Sequence, residues 1–213
     1  MSVESIVVDR AIESVVHFTT NRGSLGVFAS GALKSRQRLN TDAQLQHIFQ
    51  PNAAYRGKDA AWLDYANLSI THINSNFFGT SSGNWHKEKD FFWCILDFSP
   101  QILSHEGVWF TTTNNIYTGV QRAQGCKGLN AAFEDPVIQW VGKEIHRPVG
   151  LPLNRTTCTQ AEVLYPEGVS TEYLQRIYVR TDSESDELAA QMAAVGHRRV
   201  VVEVNPDLFV EIK

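Results

Sequence analysis

The eight residues Phe91-Phe92-Trp93-Cys94-Ile95-Leu96-Asp97-Phe98 constrain the fold more than any other stretch of the chain. They are apolar apart from Asp97, rich in aromatic side chains, and free of glycine and proline. A run this short falls well below the ~18 to 20 apolar residues that cross a bilayer, so it reads as a strand buried on both faces. Such a strand belongs in the middle of a sheet, and the rest of the chain must supply its neighbours.

Those neighbours are legible. Residues 14–19, Tyr65–Ile70, residues 107–113, Leu174–Val179 and residues 199–204 are β-branched or alternating, as strands are. In the second of these, Tyr65, Asn67 and Ser69 share one face, while Leu68 and Ile70 take the other. Val3, Ile6, Val7 and Ala11 recur at helical spacing, predicting a helix over residues 3–12. A helix over 22–30 follows Thr20-Asn21 as a cap and stops at Gly31. Another, over 39–50, opens with Thr41-Asp42 and ends at Pro51. A short helix is expected around 131–133, and one over 183–194 starts on the Ser183/Asp186 capping pattern and ends at Gly196. Residues 71–89, with Gly79, Ser81, Ser82 and Gly83, read as the longest loop, and 141–154, with Pro148, Gly150 and Pro152, as a surface loop. Without a repeat or a linker, residues 1–213 are expected to form a single α+β domain.

Composition excludes several function classes. The 43% hydrophobic and 20% charged residues suit a soluble globular protein, and Met1-Ser2-Val3-Glu4 lacks the basic start of a signal peptide, so a cytoplasmic location is expected. Three widely spaced cysteines argue for reduced thiols, and seven histidines without metal-ligand spacing give no reason to expect zinc. A net charge of −4 provides no footprint for duplex DNA. Local patches must serve instead; Lys34-Ser35-Arg36-Gln37-Arg38 is the best candidate and reads equally well as a solvated loop. Neither a Gly-x-Gly-x-x-Gly turn nor a phosphate-binding Gly-Lys-Ser/Thr loop is present. Cys158 with His17 or His146 as base is a hydrolase constellation, but no glycine-rich oxyanion signature accompanies it, and a buried inert thiol is the plainer reading.

Residues 156–165, Thr-Thr-Cys-Thr-Gln-Ala-Glu-Val-Leu-Tyr, read as a strand-like run that sets Gln160 and Glu162 side by side on one face. Taken singly, the pieces are bland. Gln-x-Glu describes a polar strand edge, His17 at the end of an apolar strand a satisfied core histidine, and Arg56 beside Gly57 a solvated loop arginine.

In combination they are more specific. His17-Phe18-Thr19 followed by a helix to Ser30-Gly31, then Arg56, then Tyr65–Ile70, then Gln160-Ala161-Glu162-Val163-Leu164 resembles the DarT family of DNA ADP-ribosyltransferase toxins, over residues 15–179. The segments Tyr65-Ala66-Asn67-Leu68-Ser69-Ile70 and Ala161-Glu162-Val163-Leu164-Tyr165-Pro166 are more similar to the guanine-modifying branch than to the thymine-modifying one. This resemblance implies the ADP-ribosyltransferase fold, a split mixed or antiparallel sheet with flanking helices, whose cleft holds NAD⁺ in a compact bend. It implies that His17 and Thr19 hold the nicotinamide side of the cofactor, that Tyr65 and Asn67 line the site, that Arg56 fixes the diphosphate, and that Glu162 is catalytic. NAD⁺ is then a co-substrate, and no metal is required.

The residue types suit that chemistry. Breaking the nicotinamide glycosidic bond develops positive charge on the ribose, which a carboxylate at the 2′-hydroxyl can stabilise. A guanidinium grips a diphosphate in a bidentate way that lysine cannot. On the same resemblance Gln160 meets the acceptor, and its amide matches the donors and acceptors of guanine. Single-stranded DNA is the expected substrate, because its base edges are reachable without unstacking a duplex. Tyr55, Trp62, Phe77, Phe78 and Trp85 are candidate stacking surfaces. The family implies one partner besides DNA, an antitoxin that removes the ADP-ribose, of NADAR type or a macrodomain hydrolase; a monomer is expected. Transfer to thymine, RNA or protein, and a non-catalytic domain that only binds NAD⁺ or a strand, are the rival readings.

Overall fold

The computed structural model describes residues 2–42, 45, 57–85 and 90–210, the side chains of 57–59, 84 and 85 excepted. Strands β1 (Val15–Thr20), β2 (Ala32–Lys34), β3 (Tyr65–Ile70), β4 (Trp93–Phe98), β5 (Trp109–Thr111), β6 (Arg122–Gln124), β7 (Val137–Trp140), β8 (Lys143–Ile145), β9 (Val163–Pro166), β10 (Gly168–Ser170), β11 (Leu174–Val179) and β12 (Val201–Val204) are interspersed with helices. These are α1 (Val3–Asp9), α2 (Asn21–Ser30), α3 (Arg36–Thr41), α4 (Ser75–Thr80), α5 (Gly125–Ala131) and α6 (Asp182–Ala194).

β4 is buried at every position, as its composition requires, and lies between β1 and β11. Among the described residues, eight strands form one sheet in the order β12-β11-β4-β1-β3-β9-β5-β6, antiparallel except for the β11–β12 pair. Side-chain alternation divides its packing between two cores. Val15, Cys94, Leu96, Phe98 and Ile177 join the larger one, while Val16, Phe18, Trp93, Ile95, Phe78 and Phe209 form the smaller. Burying a side chain such as Phe98 or Phe110 completely contributes about 1.5 to 3 kcal/mol.

The sheet is divided at its middle. β1 keeps six residue pairs with β4 but only two with β3, Val15 with Ile70 and Val16 with Ser69. From His17 onward β1 and β3 no longer pair, which is the split implied by the family resemblance. β1 then runs directly into α2, whose cap, Thr20, accepts from Gly23 N–H at 3.2 Å, and whose far end turns at Gly31 with a φ of 69°. α2 packs on α6 through Asn21 Nδ2 to Glu187 Oε1 (2.9 Å) and Ser24 Oγ to Gln191 Oε1 (3.2 Å).

Several elements differ from expectation, each for a local reason. α1 stops at Asp9, before Ala11 at a φ of 51°. Residues 71–89 are not one loop: Asn74 caps α4, and Phe78 anchors it in the smaller core. The short helix lies earlier, at Gly125–Ala131, and 141–154 contains β8, which pairs with β7 as a hairpin. α6 begins one residue sooner, at Asp182, because Thr181 and Glu184 make the capping box instead of Ser183 and Asp186. α3 occupies residues 36–41, ahead of the expected helix; Asp42 Oδ1 does accept from Leu45 N–H at 3.1 Å like a cap, and the rest of 39–50 lies outside the described residues. The basic run 34–38 is largely neutralised, with Lys34 on Asp42 at 2.6 Å and Arg38 on both Asp64 (2.9 Å) and Glu167 (3.1 Å).

Candidate active site

Glu162 stands immediately before β9, and its backbone is tied to β5. Its N–H donates to Thr111 Oγ1 at 2.9 Å, and Thr111 N–H donates to its carbonyl at 2.9 Å. Thr111 Oγ1–H donates to Thr113 O at 2.6 Å, so two threonines fix the register at which the glutamate leaves the sheet. The carboxylate is then aimed from both sides. Oε1 accepts from Asn67 Nδ2 at 3.1 Å, and Oε2 accepts from Asn115 N–H at 2.7 Å. Asn115 is held in turn by Arg122 of β6, whose Nε reaches Asn115 Oδ1 and whose Nη2 reaches its carbonyl, both at 2.5 Å.

Asn67 belongs to β3 and also reaches across the split. Its main-chain oxygen lies 2.8 Å from His17 Nδ1 on β1. A carbonyl can only accept, so Nδ1 carries the proton. Burial holds the His17 pKa below its ordinary value against the opposing pull of that hydrogen bond. The ring is therefore neutral at pH 7, and Nε2 is left with a lone pair that can accept from a ligand. Thr19 follows on the same strand and is buried against the first turn of α2 so closely that a Cβ on Gly23 would stand 2.1 Å from Thr19 Oγ1.

Aromatic rings flank these groups. Trp62 lies 5.0 Å from Tyr65 and 5.6 Å from Trp109, ring centre to ring centre, with the Arg122 guanidinium 5.6 Å over its face. A neutral imidazole, an oriented carboxylate and an aromatic cluster at the edge of a split sheet can together hold a planar cationic ring and stabilise positive charge on an attached sugar.

Glu162, Asn67 and His17 are thus brought into one connected network, with Thr19 and Tyr65 on the same strands as His17 and Asn67. Gln160 is placed differently from expectation. β9 starts only at Val163, and the hydrogen bonds of residues 156–161 go elsewhere: Ala161 N–H and Thr156 Oγ1 turn onto Cys158 O at 3.0 and 2.9 Å, and Thr157 N–H reaches the distant Ala132 O at 3.0 Å. Gln160 therefore does not sit beside Glu162 on a strand; it is 8% exposed and accepts from Gln139 Nε2 at 2.7 Å. Arg56 and Tyr55 lie outside the described residues. Phe78 is a core residue, and Phe77 packs against the same core.

Cys158 is buried and donates to Thr113 Oγ1 at 3.3 Å, while His146 is engaged by Asp135 at 3.1 Å and His17 by Asn67, so no cysteine–histidine pair forms. Among the described residues no group of three or more His, Cys, Asp and Glu side chains could hold a metal ion, and no helix is long and apolar enough to cross a membrane. Asn115, Thr111, Arg122 and Gln139 escape sequence reasoning. Asn114-Asn115 signals only a turn, a backbone N–H donor leaves no trace in a side-chain pattern, and Arg122 and Gln139 stand in no motif.

The family model described as "DarT: ssDNA thymidine ADP-ribosyltransferase, DarT" matches residues 16–210. Three solved structures share the architecture. Thermus sp. 2.9 DarT in complex with NAD⁺ superposes with a TM-score of 0.65 at 13% identity, covering 93% of this chain and 98% of its own. The same organism's DarT in complex with ADP-ribosylated ssDNA gives 0.64 at 15% identity, covering 94% and 97%. Thermosipho africanus DarTG in complex with ADP-ribose gives 0.61 at 16% identity, covering 92% of this chain and 51% of that one. No curated protein sequence matches.

Proposed function

The chain belongs to the DarT family of NAD⁺-dependent ADP-ribosyltransferases that act on single-stranded DNA, and from that premise we propose that it modifies a guanine base as the toxin of a toxin–antitoxin pair. The observation that carries the assignment of the site is the Glu162 carboxylate, aimed by Asn67 and Asn115 and linked through Asn67 to His17 across the split.

In this reading NAD⁺ lies along the parting of β1 and β3. His17 Nε2 accepts from the nicotinamide side, Thr19 lines the same pocket, and Tyr65, backed by Trp62, covers the ring. Arg56 is assigned to the diphosphate on the family resemblance. The Glu162 carboxylate, oriented by Asn67 and Asn115, is assigned to accept from the ribose 2′-hydroxyl. As the C1′–nitrogen bond breaks, its electron pair leaves with nicotinamide, which departs neutral, and the sugar carries the positive charge. The carboxylate lowers the energy of that charge. The base then attacks C1′ and gives up its N–H proton to water. Gln160 is assigned to the acceptor base. The exposed face of the hairpin supports a strand alongside: Trp140 is 38% exposed, with Lys143 4.6 Å over its ring and the Tyr117 ring perpendicular to it, 5.4 Å away centre to centre.

Guanine rests on the similarity of Tyr65–Ile70 and of residues 161–166 to the guanine-modifying branch. Thymine is the second reading, favoured by the family description, which names thymidine. With guanine the antitoxin is of the NADAR type, and with thymine a macrodomain hydrolase; the DarTG relative bound to ADP-ribose supports a pairing of this kind. The enzyme acts in the cytoplasm, on transiently single-stranded DNA. Oligonucleotides that contain a single guanine or a single thymine in an otherwise adenine and cytosine strand, incubated with labelled NAD⁺, decide the base: label on the first set only supports guanine, and label on the second only replaces it with thymine.

A further inference from the structure

Gln139 is the third residue of β7, a strand that buries Val137 and Gln139 and exposes Ile138 and Trp140. It is 6% exposed, and its Nε2 donates to Gln160 Oε1 at 2.7 Å. That bond has a polarity. With its oxygen engaged, Gln160 retains two N–H groups as the part of its amide that can meet a ligand. Gln139 Oε1 is buried and accepts from no group among the described residues. An unsatisfied buried acceptor costs about 1 to 3 kcal/mol, so the pair is not arranged for stability alone.

We infer that Gln139 is a positioning residue which fixes the hydrogen-bond polarity of Gln160, so that the acceptor site offers N–H donors and selects a base carrying an oxygen or a ring-nitrogen acceptor at that edge. The inference rests on the assignment of Gln160 to the acceptor base. Guanine with O6 and N7, or thymine with O4, meets two donors favourably. A base that presents an amine there sets donor against donor and is rejected.

Replacing Gln139 by a group that only accepts reverses this. In Gln139→Glu the carboxylate draws Gln160 Nε2 toward itself and turns Gln160 Oε1 outward. Gln139→Leu holds the amide in neither orientation. The comparison uses the full chain and strands in which one oxo oxygen is replaced by the weaker acceptor sulfur while every N–H is kept: guanine against 6-thioguanine, and thymine against 4-thiothymine. Wild-type protein should favour the oxo base of its own pair by at least about tenfold in kcat/KM. Gln139→Glu should lower that ratio by about tenfold or more, and Gln139→Leu should bring it toward one, while nicotinamide release without DNA stays near wild type because Glu162 and its partners are untouched.

An unchanged ratio in both variants, or equal loss on both bases, overturns the inference and reduces Gln139 to a packing residue. If Gln139→Glu has lost nicotinamide release and so its fold, the ratio in Gln139→Leu decides. Wild-type protein that labels no strand at all removes the proposed function, and the inference with it.

Discussion

Asn67 Nδ2 donates to Glu162 Oε1 at 3.1 Å, joining residues 95 positions apart, and the same asparagine accepts from His17 Nδ1 through its main-chain oxygen at 2.8 Å. The strand that carries Asn67 is thereby the reference for both halves of the site. Asn67→Ala removes one donor from the carboxylate and leaves the backbone bond to His17 in place. Nicotinamide release should fall about ten- to a hundredfold, the worth of a hydrogen bond to a charged group. Asn67→Asp should fall further, since it sets a second carboxylate against Glu162. Asn67→Asp at wild-type rate would falsify the arrangement.

Gly23 is required by closeness. Because an added Cβ would lie 2.1 Å from Thr19 Oγ1, Gly23→Ala must push Thr19 or the first turn of α2 aside. KM for NAD⁺ should rise severalfold and the melting temperature should drop. Adding Thr19→Ala to Gly23→Ala removes the clashing oxygen. The double variant should recover stability and leave KM high, whereas recovery of both would show that Thr19 does not line the cofactor site.

Arg122 acts at one remove, gripping Asn115 by side chain and carbonyl while Asn115 N–H holds Glu162. Arg122→Ala should lower kcat with a smaller change in KM. Arg122→Lys should rescue little of it, because a single ammonium cannot reproduce the forked contact. Rescue to near wild type by lysine would mean that only the positive charge matters.

Asp97 predicts a pH effect on stability that is independent of the site. It lies 1% exposed in the middle of the sheet, and burial raises its carboxyl pKa to about 6 despite Arg176 at 3.4 Å. A carboxyl whose folded pKa exceeds its unfolded value disfavours ionisation in the folded state. Stability is therefore fully present below the unfolded pKa near 4 and lost as pH rises toward 6. Asp97→Asn escapes this loss, so the variant should melt a few degrees above wild type at pH 7, roughly, and the gap should close on acidification toward pH 4. A gap that widens on acidification would contradict the sign.

Much of this was legible in the sequence where side-chain pattern decides structure. The apolar run at Trp93–Phe98 dictated a central strand, alternation placed Asn67 on the open face of Tyr65–Ile70, and Thr20 with Gly31 marked both ends of α2. Patterns failed where the backbone meets groups distant in sequence. The threonines before Gln160 looked β-prone, yet their hydrogen bonds go to the neighbouring Cys158 carbonyl and to the distant Ala132 carbonyl instead of a ladder. One group that aims Glu162 is the main-chain N–H of Asn115, held in turn by Arg122, 40 residues before the glutamate, and neither has a local signature. Gln139 was hidden for a related reason: its four-residue strand borders a segment, 141–154, whose prolines and glycines suggest only a loop, and the residue it touches is 21 positions away.

The most direct measurement compares wild-type protein with Glu162→Gln, incubated with NAD⁺ labelled in the adenosine and with single-stranded oligonucleotides containing or lacking guanine. Glu162→Gln keeps the shape of the side chain and removes its charge, so folding and NAD⁺ binding should persist while transfer falls by about a hundredfold or more. Label confined to guanine-containing strands in wild type, and lost in the variant, is the predicted result. Transfer undiminished in Glu162→Gln would contradict the central claim, that this carboxylate, aimed by Asn67 and Asn115, stabilises the charge on the departing sugar.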